Sequence, residues 1–322
     1  MTKEIGFALL IMGIVGCGPD LSQLPTIRME IARGMPLGAV AESLEARQFI
    51  TSASKFKLYA RITGNAGAIQ AGIYELPVGA TNGQILRLLT SGQVASDRLS
   101  IPEGLMLSEV ADAVESQLGV PAESIWAAAH DPSRIQALGI DAPNLEGYLY
   151  PSTHVIRAGA SAGEIVDQMT NEFLARWRPS WDERARQLGL TRHEVVTLAS
   201  IIEGEVGYKP DGPYISSVYH NRLRVGMRLQ ADPTVIYALG RRRRLFERDY
   251  LTRSPYNTYV VDGLPPAPIG QPSEASIEAA LYPERTDFFY IVADTSGKHV
   301  FSRTYGEHLA AVRRIRVAQG RG

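Results

Sequence analysis

The segment that most constrains the fold spans residues 191–207. Thr191 stands three residues before Glu194, the spacing of a capping box, and Leu190 and Val195 supply the flanking hydrophobic staple. Val195, Val196, Leu198, Ala199, Ile202 and Val206 follow at helical spacing. A helix with this much apolar surface needs a core around it. The pattern predicts a helix ending near Gly207 and a second helix over about 213–225 that stops near Gly226.

A carboxylate sits inside this apolar helix. Glu203 is flanked by Ile201 and Ile202, and an acid placed there is unfavourable unless it is paired or faces a cleft. Burial beside apolar groups keeps such an acid protonated near neutral pH, which suits a general acid for glycosidic cleavage. By pattern alone, a buried ion pair or a cap to a neighbouring loop is the favoured explanation of Glu203. Glu205 is not its same-face partner. At about 100° per residue, the two side chains point roughly 200° apart.

Around this helix the chain reads as an α+β protein. Its 322 residues suit two or three units, and 45% apolar with 21% charged residues is ordinary for a globular chain. Net charge is −1, so no global field draws it to nucleic acid. The run Arg241-Arg242-Arg243-Arg244 reads as a solvated loop. Residues 1–17 read as an export signal. The apolar run 5–16 rises only about 18 Å as a helix, against about 30 Å of bilayer core. It ends in Ile14-Val15-Gly16-Cys17, which resembles a lipobox, and a short membrane anchor is the alternative. Cys17 is the single cysteine and the candidate lipidation site, so no intrachain disulfide is possible. Either reading tethers the chain outside the cytoplasm.

Residues 18–25 are a polar linker. Over 26–96 a strand bearing Ile27, Met29 and Ile31 leads into a helix with Leu37, Val40, Ala41 and Leu44. A helix at about 52–62, a strand at 72–76, and a helix opened by Thr81 and Gln84 follow. The pattern of 28–45 echoes at 98–115, an offset of 70 residues, which predicts two related strand–helix units. Within the remaining region, 97–318, residues 121–190 read as mostly helical, interrupted at 144–151. The segment 263–269 carries three prolines and excludes regular helix. Strands are expected at 288–293 and 299–302, and an arginine-rich helix from about 305.

Exclusions narrow the chemistry. No GxGxxG, P-loop or GxSxG pattern occurs. His130, His154, His193, His220, His299 and His308 lack metal-site spacing, so neither cofactor nor metal is expected. Carboxylate chemistry remains. Gln230, Asp232 and Thr234 bracket Pro233, and Tyr256, Asn257 and Tyr259 form an aromatic and amide cluster. Aromatic faces with amides suit sugar rings, although each cluster alone is also explained by turn and packing.

These residues resemble the endolytic murein transglycosylase (YceG-like) family. The resemblance rests on Leu198-Ala199-Ser200-Ile201-Ile202-Glu203-Gly204-Glu205 and on the stretch 221–237, running from Asn221-Arg222-Leu223 through Gln230-Ala231-Asp232-Pro233-Thr234. It also rests on Ser254-Pro255-Tyr256-Asn257-Thr258-Tyr259, on Gly263-Leu264-Pro265-Pro266, and on Leu145-Glu146-Gly147-Tyr148-Leu149-Tyr150-Pro151. It implies a LysM-like module at 26–96 followed by a mixed α/β catalytic region with a helical insert. It implies a lytic transglycosylase that cuts inside glycan strands and leaves 1,6-anhydro ends, with Glu203 as the acid. Gln230, Asp232, Thr234, Tyr256, Asn257, Tyr259 and Glu146 would bind substrate. Ser152 stands where the family usually has an acidic residue, and Gly204 where it has a larger one. The implied partners are peptidoglycan strands, peptidoglycan synthases and the membrane of the cell envelope. A peptidoglycan-binding scaffold without catalysis is the alternative function.

Overall fold

The computed structural model of the protein describes residues 20–318. The expectations for Cys17 and the N-terminal anchor therefore lie outside the described residues. Among those residues no helix is long and apolar enough to cross a membrane. They form two compact units, 20–97 with 157–159 and 98–156 with 160–318.

The first unit runs β1 (Thr26–Ile31), α1 (Leu37–Ala46), α2 (Ala53–Ile62), β2 (Gly72–Pro77) and α3 (Asn82–Ser91). β1 and β2 pair antiparallel, with Met29 opposite Tyr74 and Ile31 opposite Gly72. Met29 and Ile31 point into a core with Leu44, Phe56, Leu76 and Ile85, whereas Ile27 is half exposed. The alternation read along β1 thus holds only for its second half. The capping box of Thr81 and Gln84 opens α3 as the spacing required.

β3 (Ser96–Ser100) follows, then α4 (Leu107–Leu118), α5 (Ala122–Ala129), α6 (Pro132–Ala137) and β4 (Thr153–Arg157), which pairs with β3. The expected echo is present. β1–Gly34–α1 recurs as β3–Gly104–α4, and both glycines hold left-handed backbone, φ +79° and +77°. The region expected to be mostly helical contains β4, which was not expected there. Its five residues alternate exposed and buried, with His154 and Ile156 inward, a signal too short to stand out.

The remaining elements are α7 (Ala162–Arg176), α8 (Pro179–Leu188), α9 (Arg192–Glu205), α10 (Gly212–Arg224), α11 (Asp232–Ala238), α12 (Glu274–Leu281), β5 (Tyr290–Ala293), β6 (His299–Ser302) and α13 (Tyr305–Ala318). β5 and β6 pair antiparallel. The chain is therefore a mixed α+β protein with small two-stranded sheets.

α9 is the axis of the second unit. Its capping box forms as expected, and residues 195–202 are all buried. α8, α10, α11 and α12 pack on it. Its few polar groups fasten the proline-rich segment alongside. His193 Nε2 lies 3.0 Å from the Pro266 carbonyl, and Ser200 Oγ accepts the Ile269 N–H at 2.9 Å. A segment that prolines bar from regular ladders is thus tied to a helix by side chains.

Candidate active site

The C-terminal turn of α9 delivers two carboxyl groups to different surroundings, as the helix geometry requires. Glu203 meets the start of α12. Its Oε2 accepts the Ser273 N–H at 3.0 Å, the Ser273 hydroxyl at 2.5 Å and the Ser276 hydroxyl at 2.7 Å. Ser273 is the N-cap of α12, so Glu203 sits at the end of a helix where free N–H groups and the macrodipole favour an anion. The cap that pattern alone allowed for Glu203 is therefore present.

Glu205 faces a cleft of about 470 Å³, lined also by Tyr219, Gln230, Asp232 and Tyr259. Tyr219 donates to its Oε1 at 3.1 Å. Burial, reinforced by the negative charge of Asp232, pushes the Glu205 carboxyl up to about 7, against the Tyr219 and Asp232 amide hydrogen bonds. A raised carboxyl of the kind a general acid needs is thus present at Glu205. Glu203 is not among the residues that line this cleft.

Gly204 lets the two faces serve together. A Cβ there would lie 2.6 Å from Pro233 Cβ, so only glycine permits α9 to approach the start of α11 this closely. Backbone freedom is one general reason for a glycine at such a position. Close packing is the stronger reason.

The other expected residues divide. Gln230, Asp232 and Tyr259 line the cleft. Asp232 opens α11, with Pro233 in its first turn, and accepts the Tyr259 hydroxyl at 2.7 Å and the Tyr250 hydroxyl at 3.4 Å. Gln230 is exposed and holds φ +49°, a strained conformation for a residue with a side chain. Its N–H is held by the Thr258 carbonyl at 3.1 Å. Thr234 and Asn257 do not reach the cleft. Both are fully buried, Thr234 bonded to the Ala231 carbonyl and to Thr258, and Asn257 to the Tyr250 and Thr252 carbonyls. They shape the loops that carry Asp232 and Tyr259.

Glu146 is likewise no surface ligand. It is 2% exposed, and its oxygens accept from the Leu107 N–H, the Gln271 amide and the Tyr237 hydroxyl. Burial pushes this carboxyl up to about 8. Tyr256 packs on Tyr237, ring centres 4.7 Å apart, above the same group. Burial keeps Glu146, Thr234 and Asn257 from lining the cleft, where direct substrate contacts were expected of them. The arginine run is a loop with Arg241, Arg242 and Arg244 exposed, as expected, and it carries two ion pairs. Arg242 pairs with Glu109 at 2.7 Å and Arg243 with Asp249 at 2.6 Å.

Sequence reasoning missed the far side of the cleft. Tyr219 and Arg222 come from α10, Tyr290 from β5, His299 from β6, and Tyr305 and His308 from α13. The spacing of Tyr219 and Arg222, three apart on a helix, was the one local signal available. Arg222 is structural here. It donates to the Phe289 carbonyl at 2.7 Å and to the Leu229 carbonyl at 2.5 Å, fixing the entry to β5. A larger cavity of about 1000 Å³ lies beside α8 and α10, but it holds neither Glu205 nor Asp232. Among the described residues no group of side chains suits a metal ion.

Residues 29–314 match the family model described as the YceG-like family. The chain is 33% identical to an endolytic murein transglycosylase of Bacillus subtilis (strain 168), over 88% of this chain and 83% of that protein. It is 27% identical to the endolytic murein transglycosylase of Streptococcus pneumoniae serotype 2, over 90% of this chain but only 58% of that longer protein. A 2.6 Å crystal structure of a YceG-like protein from Listeria monocytogenes superposes with a TM-score of 0.63 at 34% identity, covering 89% of this chain and 99% of that one.

Proposed function

The chain belongs to the YceG-like family, and from that membership and the cleft around Glu205 we propose that it is a lytic transglycosylase acting on the glycan strands of peptidoglycan. The observation that carries the reading is the company Glu205 keeps. Of the two carboxyl groups on the last turn of α9, it alone shares a cleft with Gln230, Asp232 and Tyr259. Its carboxyl, raised to about 7, is in good part protonated at neutral pH and able to donate.

In this reading Glu205 gives its proton to the oxygen between N-acetylmuramic acid and N-acetylglucosamine as the C1–O bond breaks. The muramyl 6-hydroxyl closes on C1, and the Glu205 carboxylate takes the proton that this hydroxyl loses. The product carries a 1,6-anhydro ring, and the acid is restored. The nucleophile is part of the substrate, so proximity aids closure and no water is consumed. Glu203 is a positioning residue that locks α9 to α12.

Hydrolysis is the second reading, because Asp232 brings another carboxyl group into the cleft and hydrolases commonly use two. Both Asp232 oxygens already accept tyrosine hydroxyls, which supports a fixed charge that raises Glu205 rather than a base for water. Mass spectrometry of fragments released from purified sacculi separates the two. Anhydro-ended fragments are one water lighter than hydrolytic ones, and a product set made only of the heavier species would sink the transglycosylase reading. The first unit, with its strand–helix–helix–strand order, fits a LysM-like module that holds the strand. An envelope location, a tether through the segment around Cys17 and cooperation with peptidoglycan synthases complete the proposal.

A further inference from the structure

Part of the cleft lining is an aromatic cluster from β5 and α13. Tyr290 from β5 and Tyr305 and His308 from α13 form a cluster, with ring centres 5.8 Å apart for Tyr290 and Tyr305, 5.5 Å for Tyr290 and His308, and 6.2 Å for Tyr305 and His308. One ring is anchored. Arg222, pinned by two backbone carbonyls, holds its guanidinium 5.6 Å from the Tyr290 ring centre. Packing of α13 on the hairpin accounts for Tyr290. It does not account for Tyr305, which leaves 59% of its surface in solvent at the mouth of the same cleft.

His308 adds a directed polar group. Its Nδ1 is buried without a hydrogen-bond partner. A buried unpartnered N–H is more costly than an unpartnered lone pair, so the proton belongs on Nε2. Burial and the nearby Arg222 charge both lower the affinity of this ring for a second proton, which keeps it neutral. Among the described residues no side chain or carbonyl accepts from Nε2. The wall therefore offers an exposed ring face, an anchored ring beside it and one unused N–H donor.

We propose that Tyr290, Tyr305 and His308 form a sugar subsite that stacks on one N-acetylated pyranose of the strand beside the bond to be cut, with His308 Nε2–H donating to a hydroxyl or acetamide oxygen. The proposal rests on the transglycosylase reading and deepens it. A pyranose has an apolar face that matches Tyr305 and equatorial oxygens that match the donor. An enzyme cutting inside a strand must grip sugar on both sides of the bond, and Gln230 and Tyr259 line the same cleft as Glu205 and these three rings. Tyr305 stacks through its ring and not its hydroxyl, so shape rather than polarity matters at that position.

The test uses the whole protein, peptide-free glycan strands of defined length and the rate of anhydro-end formation. Tyr305→Ala is expected to raise KM about tenfold with kcat within about twofold, a step of roughly 1.4 kcal/mol in binding. Tyr305→Phe keeps the ring and should restore the parental KM. His308→Phe keeps ring packing but loses the donor, and should raise KM on its own. A Tyr305→Ala protein with unchanged KM overturns the subsite, as does a Tyr305→Phe protein as impaired as the alanine variant. If the parent makes strand fragments without anhydro ends, the transglycosylase reading falls and the subsite is judged on KM alone. If the parent does not act on strands, both fall.

Discussion

A single residue decides how the catalytic turn is read. Gly204 separates two acids with different surroundings, and its missing side chain lets Pro233 seat against α9. Gly204→Ala forces a Cβ to within 2.6 Å of a ring carbon that cannot rotate away. Overpacking of this kind costs about 1–3 kcal/mol. Urea unfolding should show that loss, with transglycosylase activity falling as Asp232 shifts away from Glu205. An alanine variant as stable as the parent would mean that α11 yields freely. The sequence made the divergence of Glu203 and Glu205 legible, because helix geometry fixes the angle between them. It could not say which one faces solvent. That depends on where α12 and α11 land around α9, and both arrive from segments 27 or more residues later in the chain. The family resemblance implies Glu203, the first of the two, so the choice of Glu205 rests on the cleft alone.

At the scale of elements, the sequence spoke most clearly where a local rule had no competitor. The capping boxes of α3 and α9 formed as the spacing required, and α10 spans Gly212–Arg224, close to the range its pattern gave. The strand–glycine–helix echo also held, because a left-handed turn at Gly34 or Gly104 is written in the glycine itself. β4 escaped because five residues with two inward side chains carry little periodic signal. α11 was read as a proline turn because Pro233 looks like a breaker, yet proline in the first turn of a helix loses no hydrogen bond. The same ambiguity hid half of the site. Tyr290, Tyr305 and His308 belong to a hairpin and a helix whose sequence explains their packing, and only their common cleft marks them as functional. Thr234 and Asn257 failed in the opposite direction. Polar side chains beside a proline or between tyrosines look like ligands, but here they satisfy backbone carbonyls of their own loops.

Across the whole molecule, two acids with raised carboxyls couple folding and activity to pH. The Glu146 carboxyl is raised from 4.5 to about 8, and Glu205 from 4.5 to about 7. The folded state therefore holds these protons to higher pH than the unfolded chain does. Their contribution is fully present below about 4.5 and is lost as pH rises through the folded values. Glu146→Gln, with a neutral amide, removes one such dependence. The difference in melting temperature between parent and variant should shift against the parent from pH 5 to pH 8. A constant difference would contradict a raised Glu146. Activity should decline above about pH 7 as Glu205 loses the proton it must donate.

The central claim is that Glu205, rather than Glu203, is the acid. It is tested most directly by digesting purified sacculi with the parent, Glu205→Gln and Glu203→Gln proteins, each checked for folding, and measuring the rate of anhydro-end release. The account predicts that Glu205→Gln abolishes release while remaining folded, and that Glu203→Gln, which retains an oxygen for the α12 serines, is less stable but still active. A folded Glu203→Gln protein without activity beside an active Glu205→Gln protein would contradict it.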